Sequence, residues 1–435
     1  MDRLRDDYMI GIRPSVARIA EVLHETVNGY TQVFMIIDAL DECDQEHRCI
    51  LLKVIFRLQT MYPIHLLATS DVDPKIVALF TKADVLKIRA DKEDMRAYLA
   101  GRMSRALFAI GDNAELEEEI SSSIVGAADG RFLLASLYLE CLSRQTSTKA
   151  LQDTLARLVT GSHSDNYDAA YDGVVKGIEN QAPCQANLAK KSLLYMALAR
   201  RPLTGHELQH AIAVDAGVAE PTLGSVHFVR DVVVACQGLA VITGSEQIES
   251  EQRDGTIGLR LVHRTAYNSL QRTLTRWFPE GHNRFAKTCV TVLSLPAFEA
   301  GPCPTRQELE HRLRAFPFYR YAASNWGHHA RSVTDGFQEL ESMAIMGLDL
   351  PESQPKIESA SQVLFLAQQH IPREPDFKSF PRRMGALHVA GYFGLTAMIR
   401  RLLSKGRSIL AKDSYGRTAL AWAAAEGTKK PCGSS

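Results

Sequence analysis

Much of what this 435-residue chain could be is excluded by what it lacks. It has no charge excess, since 50 Lys and Arg stand against 50 Asp and Glu. A balanced chain exerts no general pull on nucleic acid or on an anionic membrane, so neither partner is expected. Cysteine is sparse: Cys43, Cys49, Cys141, Cys184, Cys236, Cys289, Cys303 and Cys432 are scattered, with no pair at metal-ligand spacing. That density is far from a secreted disulfide scaffold, and the expectation is buried free thiols in a reducing compartment. The longest apolar stretches, such as Phe132–Leu139, fall far short of the roughly 20 residues of a spanning helix. The opening "MDRLRDDYMIGIRPS" lacks the apolar core of a signal peptide, so a cytoplasmic location is expected. The sequence also lacks a Gly-x-x-x-x-Gly-Lys-Ser/Thr string, the loop whose amides and Lys cradle nucleotide phosphates.

What is present, 46% hydrophobic and 23% charged residues, is a globular composition of a length for several domains. The stretch "VFMIIDALDEC" carries a continuous apolar run, Val33–Ile37, into Asp38, Asp41 and Glu42. Such a run reads as a buried parallel strand with both faces covered. In "QEHRCILLKVIFRLQTMYP", Ile50, Leu51, Val54, Ile55 and Leu58 fall at helical spacing and Pro63 follows. A second strand in "IHLLATSD" and a third in "DVLKIRA" complete a β-α-β pattern.

From Asp91 the pattern is helical: "DKEDMRAYLAGRMSRAL", two helices broken near Asp129–Gly130, and "TKALQDTLARLV". The polar "GSHSDNYDAAYDG" reads as a loop. Two helices then flank Pro202, with Thr204 as N-cap of the second. A further helix and two strands, Leu239–Thr243 and Ile257–Val262, follow. Helices followed by such a hairpin make a winged-helix pattern. Its candidate recognition helix, "GHELQHAIAVD", is not basic, so a structural role is expected. The aromatic stripe of "PFYRYAASNWGHHA" reads as core, and "PESQPKIESASQ" as a loop or linker. At the C-terminus, Leu387, Ala390 and Gly394 match Leu420, Ala423 and Gly427 at one offset of 33, the ankyrin period. Asp413, Gly416 and Thr418 stand at ankyrin turn positions. A unit and a half must lean on the preceding helices or fray.

Nucleotide hydrolysis needs Mg²⁺ near the phosphates and a group that orients water. An acid at the tip of a buried strand can hold the metal, which points to Asp38, with Asp41 or Glu42 positioning water. Asp41 or Asp44 capping the next helix is the bland alternative.

In order, "VFMIIDALDEC", "HLLATSD", "AADGRFLLASLYLECL", "ARRPLTGHELQHAI", "LRLVHRTAYNSL" and the repeats resemble the fungal NACHT-type STAND ATPases with ankyrin repeats. The resemblance spans residues of about 30 to 427. It implies an ATP- or ADP-switched module with Mg²⁺, a winged helix closing over the nucleotide, and repeats that sense a ligand or partner. Asp38 matches the Walker B metal acid, Asp41 and Glu42 the acids after it, and Thr69 and Ser70 the sensor strand end. Asp71 stands where the family has Arg, an anion in place of a cation beside phosphates. His263 matches a histidine that touches the ADP phosphate, and a capping histidine is the alternative. Only 37 residues precede Asp38, too few for the family's first strand and P-loop, so an N-terminally truncated relative is expected.

The expected fold is multidomain and mainly α. Its parts are a partial P-loop NTPase-like α/β core at 1–90, a helical domain at 91–185 and a winged helix at 186–276. A helical spacer at 277–380 and incomplete ankyrin repeats at 381–435 follow. The expected function is protein interaction in signalling, without nucleotide hydrolysis and with no cofactor. Partners are other proteins, including further copies of the chain. An ATP/ADP switch whose P-loop lies elsewhere is one alternative, and a winged-helix DNA binder another.

Overall fold

The acid-tipped run is a strand in the computed structural model, which describes residues 16–71, 73–81, 83–106, 113–143, 145, 147–159, 165–215, 217, 229–243, 258–333, 354–366 and 380–427. The chain is mainly helical and divides after Ile88 into two units. In the first, α1 (Val16–Val27), β1 (Val33–Ile37), α2 (Gln45–Gln59), β2 (Ile64–Ala68) and the short α3 (Pro74–Val77) follow one another. β1 and β2 pair in parallel, from Val33 opposite Ile64 to Ile37 opposite Ala68. One side of this sheet carries the helices. Val33, Met35 and Ile64 pack with Val27 and Leu58, and Ile37 and Ala68 with Leu52 and Ile76. α2 forms as expected, but it buries Leu52 with Ile55 and Leu58 and leaves Leu51 exposed.

Two expectations fail in this unit. The sheet is covered on one face only, because Phe34, Ile36 and Leu67 are 71%, 70% and 59% exposed. They alternate with the covered residues, as strand geometry requires, and nothing described lies over them. The third strand is absent as well. Asp84–Ala90 joins no ladder among the described residues, and Leu86 and Ile88 are 82% and 84% exposed. A strand exists only where a neighbouring edge takes its amides.

The second unit opens with α4 (Lys92–Ala106), α5 (Ala114–Ala128), α6 (Phe132–Leu142), α7 (Thr148–Val159) and α8 (Asp165–Glu179). The break between α5 and α6 is made by Asp129 and Gly130, both left-handed. Helix α8 corrects the loop reading of Asp165–Gly173, while residues 161–164 lie outside the described ones. Its Ala170, Tyr171, Val174, Val175 and Ile178 form a buried stripe at helical spacing, which outweighs the polar letters between them.

α9 (Pro183–Leu198), β3 (Leu203–Thr204), α10 (Gly205–Asp215), α11 (Val229–Ala235), β4 (Ala240–Thr243), β5 (Gly258–Leu261) and α12 (Arg264–Trp277) follow. The strands form an antiparallel sheet in the order β3-β5-β4. Thr204 and Glu207 cap α10 reciprocally: the Thr204 hydroxyl accepts from the Glu207 amide, and the Glu207 carboxylate from the Thr204 amide. α10 is buried along much of its length, through Leu208, His210, Ala211, Ile212, Ala213 and Val214.

At the end of α10, Asp215 is the anchor for two cations. Arg284 Nε and Nη2 each donate to it at 2.7 Å, and Lys191 Nζ lies 2.7 Å away. Burial alone would raise the Asp215 carboxyl, and the Arg284 and Lys191 hydrogen bonds more than reverse that, so it sits below the usual carboxylate range.

α13 (Gly281–Leu293), a turn at Pro296–Phe298, α14 (Arg306–Ala315), α15 (Pro317–Arg331) and α16 (Gln354–Leu366) carry the core onward. α13 packs extensively on α15, and Phe318, Tyr319, Tyr321 and Trp326 of the aromatic stripe are buried. Helix α16 corrects the linker reading of "PESQPKIESASQ" from Gln354 onward. Two of its buried polar residues find partners: Gln362 exchanges hydrogen bonds with both backbone groups of Cys303, and Ser359 bonds Arg312 and Tyr319, whereas the buried Ser361 hydroxyl has none among the described residues.

α17 (Ala386–Phe393), α18 (Thr396–Ser404) and α19 (Ala419–Gly427) end the unit. The sequence-matched helices α17 and α19 lie against each other. Asp413 holds the turn before α19, its Oδ1 accepting from the Tyr415 and Arg417 amides and its Oδ2 from Trp422 Nε1. These helices do lean on the preceding ones. Phe393 sits against Gly327 of α15, and Phe365 of α16 packs on Tyr392 and Trp422. Leu387 is 6% exposed, but its equivalent Leu420 is 69% exposed.

Among the described residues all cysteines are free. Cys141, Cys236, Cys289 and Cys303 are buried as expected. Cys184 is exposed instead, and Cys43 and Cys49 are half-buried. Among the described residues no helix is long and apolar enough to cross a membrane.

A Cβ at Gly327 would lie 2.1 Å from Phe393 Cγ. Gly327→Ala is therefore expected to cost about 1–3 kcal/mol, read as a lowered midpoint in urea unfolding. Asp215→Asn strands a buried Lys and is expected to cost about 3 kcal/mol at pH 7. A depressed carboxyl stabilises above its unfolded value and loses that contribution as pH falls through its folded one. The deficit of the variant should therefore shrink below pH of about 4.

Candidate functional site

The C-terminal ends of β1 and β2 bring most of the expected site residues together. The ladder continues one residue past β2: the Thr69 amide donates to Ile37 O at 2.9 Å, and the Leu40 amide to Thr69 O at 2.8 Å. Between these bonds the chain turns at Ala39, which is left-handed at φ 53° without being glycine. Such a conformation is costly for a residue with a Cβ and persists where the surroundings fix it. Here Leu40, 1% exposed, is driven into the small core beside Leu52 and Ile76.

The Thr69 hydroxyl uses both of its roles. It accepts from the Ala39 amide at 2.9 Å and donates to Asp38 Oδ1 at 2.5 Å. Asp41, half-buried on the following 3₁₀ turn, accepts from the Asp71 amide through Oδ1 at 3.0 Å. Asp44 caps α2 by accepting from the Glu46 and His47 amides, and its other oxygen bonds His47 Nδ1. Those bonds, led by the His47 amide, lower the Asp44 carboxyl. Glu42 is exposed on the same turn. The capping expected of Asp41 or Asp44 thus falls to Asp44, while Asp41 links the two strand ends.

Asp38, Asp41, Glu42, Asp44, Asp71 and Asp73 all follow closely on the C-terminal ends of the two strands, β1 and β2. Ser70 donates to Asp71 O rather than facing a ligand. Carboxylates concentrated after the strand ends disfavour a polyphosphate there. Among the described residues no cluster of three or more His, Cys, Asp or Glu could hold a metal ion.

His263 belongs to the second unit, where it is the N-cap of α12. Its Nδ1 accepts from the Thr265 amide at 3.2 Å and lies 3.0 Å from the Thr265 hydroxyl, which also bonds Tyr171. The imidazole thus does the work of a capping Ser or Asp. The sequence reading missed a second cluster, formed by Arg200, Tyr267, His282, His328, His329 and Ser332 around a cleft in the second unit. Its members come from distant stretches, and "GHH" was the one local sign of it.

A protein-family model described as "Nephrocystin 3, N-terminal" matches residues 6–71. The match takes in α1 through β2 and the acid-bearing edge, and is confined to that part of the chain. No curated protein matches the chain.

Thr69→Val removes the hydroxyl that joins Asp38 to the Ala39 amide. It is expected to destabilise the first unit by about 1–2 kcal/mol, two net hydrogen bonds, seen as faster amide exchange at Ala39 and Leu40.

Proposed function

We propose that this chain is a protein-interaction module of a signalling protein related to the NACHT–ankyrin receptors, and that it does not hydrolyse nucleotide. The observation that carries this reading is the use made of the acids at the strand ends. Asp38 and Asp41, the two that would hold metal and position water, each accept an internal hydrogen bond that ties β1 to the end of β2. Asp71 adds a further negative charge beside them, where phosphates would call for a cation.

The regions of the second unit are read in the same family terms. α10, β3, β4, β5 and α12 are the winged-helix-like part, and α17 to α19 the ankyrin-like part. The burial of α10 removes a free recognition helix and disfavours the DNA-binding reading. Exposed Ile409, Leu410, Tyr415 and Leu420 on the repeat-like segment are side chains of the kind that protein partners cover. The proposed setting is the cytoplasm.

Equilibrium binding of labelled ATP and ADP with Mg²⁺ tests the reading. No micromolar binding is expected for the parent or for Asp38→Ala. Micromolar affinity in the parent that is lost in Asp38→Ala would overturn it and favour the nucleotide switch.

A further inference from the structure

The cleft in the second unit has a volume of about 210 Å³. A single water needs about 10–15 Å³ on this measure, and drug-sized ligands occupy roughly 300 Å³ or more. The space therefore suits a small polar molecule. Arg200 follows α9, Tyr267 lies on α12, His282 on α13, His328 and His329 on α15, and Ser332 just after α15.

Hydrogen bonds assign the protons around it. The Arg200 amide donates to the Tyr321 oxygen at 2.9 Å, and the Tyr321 hydroxyl, 2.8 Å from His329 Nε2, gives its proton there. A neutral His329 then carries its proton on Nδ1, which faces His282 Nδ1 at 3.2 Å. His282 accepts through Nδ1, so its own proton is on Nε2, and that N–H remains available as a donor. This arrangement leaves no donor facing a donor.

The charge around the cleft is one-sided. None of its nine lining residues is acidic. The Arg200 guanidinium stands in no ion pair among the described residues. Burial first, then nearby His282, Arg200 and His328, holds His329 down at about 3, and burial lowers His282, so the imidazoles of this pair are neutral at pH 7 and Arg200 is the cation of the cleft. A concave site with uncompensated positive potential concentrates anions.

We propose that this cleft binds a small phosphate-type oxyanion, held by the Arg200 guanidinium and the His282 Nε2–H, with the Tyr267 hydroxyl as a further donor. The reading is independent of the acid-bearing edge of the first unit. A tetrahedral oxyanion accepts from several directions at once, which matches a donor set drawn from separate elements.

Equilibrium dialysis of the full chain with radiolabelled inorganic phosphate, at pH 7 and constant ionic strength, tests this. Saturable binding at one site per chain is expected, displaced by sulfate and not by chloride. Arg200 is exposed, so Arg200→Gln should keep the fold and weaken binding by about tenfold or more, as loss of a charged hydrogen bond does. His282→Gln, checked for folding by circular dichroism, should weaken it as well. Absence of saturable binding, unchanged affinity in Arg200→Gln, or equal displacement by chloride would overturn the proposal.

Discussion

The second unit depends on one buried carboxylate. Asp215 ends α10 and receives Arg284 from α13 and Lys191 from α9, so three helices converge on a single anion. Two cations on one carboxylate repel each other through it, and the arrangement holds because Arg284 engages both oxygens in a fork. With α13 fixed, its Phe285 ring is set 4.0 Å from the His329 ring and 4.7 Å from that of Tyr195. α15 takes its place from those contacts, and α17 from α15. A polar interaction thus orients a core that is otherwise held by apolar burial.

The first unit is organised on a different principle. Its sheet has two strands, and the fastening lies at their tips, where Thr69 and the acids tie the chain ends together. The same carboxylates cannot both satisfy these internal donors and give all their lone pairs to a metal. The negative potential that remains is poorly suited to phosphates, whereas the cleft of the second unit, without any acid in its lining, has the opposite character.

How much of this was legible depended on whether the signal was local. Val33–Ile37, α2 and Ile64–Ala68 announce themselves by residue type and spacing, and Asp38 and Thr69 meet because adjacent parallel strands end together. An apolar run, however, reports what a strand could bury and not how many layers cover it, so the exposure of Phe34 and Ile36 was hidden. α16 was obscured because its inward residues include Ser359 and Gln362, whose burial makes sense only once Cys303, Arg312 and Tyr319 are placed beside them. α8 was obscured by Asp and Gly letters around an apolar stripe. The cleft was illegible for a similar reason: Arg200, His282 and His329 are neighbours only after three helices pack. The links from Asp41 to Asp71 and from His263 to Thr265 are short-range geometry that residue identity alone leaves open.

The fit of Phe393 against Gly327 has a consequence for inheritance. The ring occupies the space that any Cβ at residue 327 would fill, so the two positions are not free to drift separately. A lineage that gains a side chain at 327 must first shrink residue 393, and one that keeps the aromatic ring must keep the glycine. The junction between α15 and α17 is thereby recorded as a pair of letters 66 residues apart.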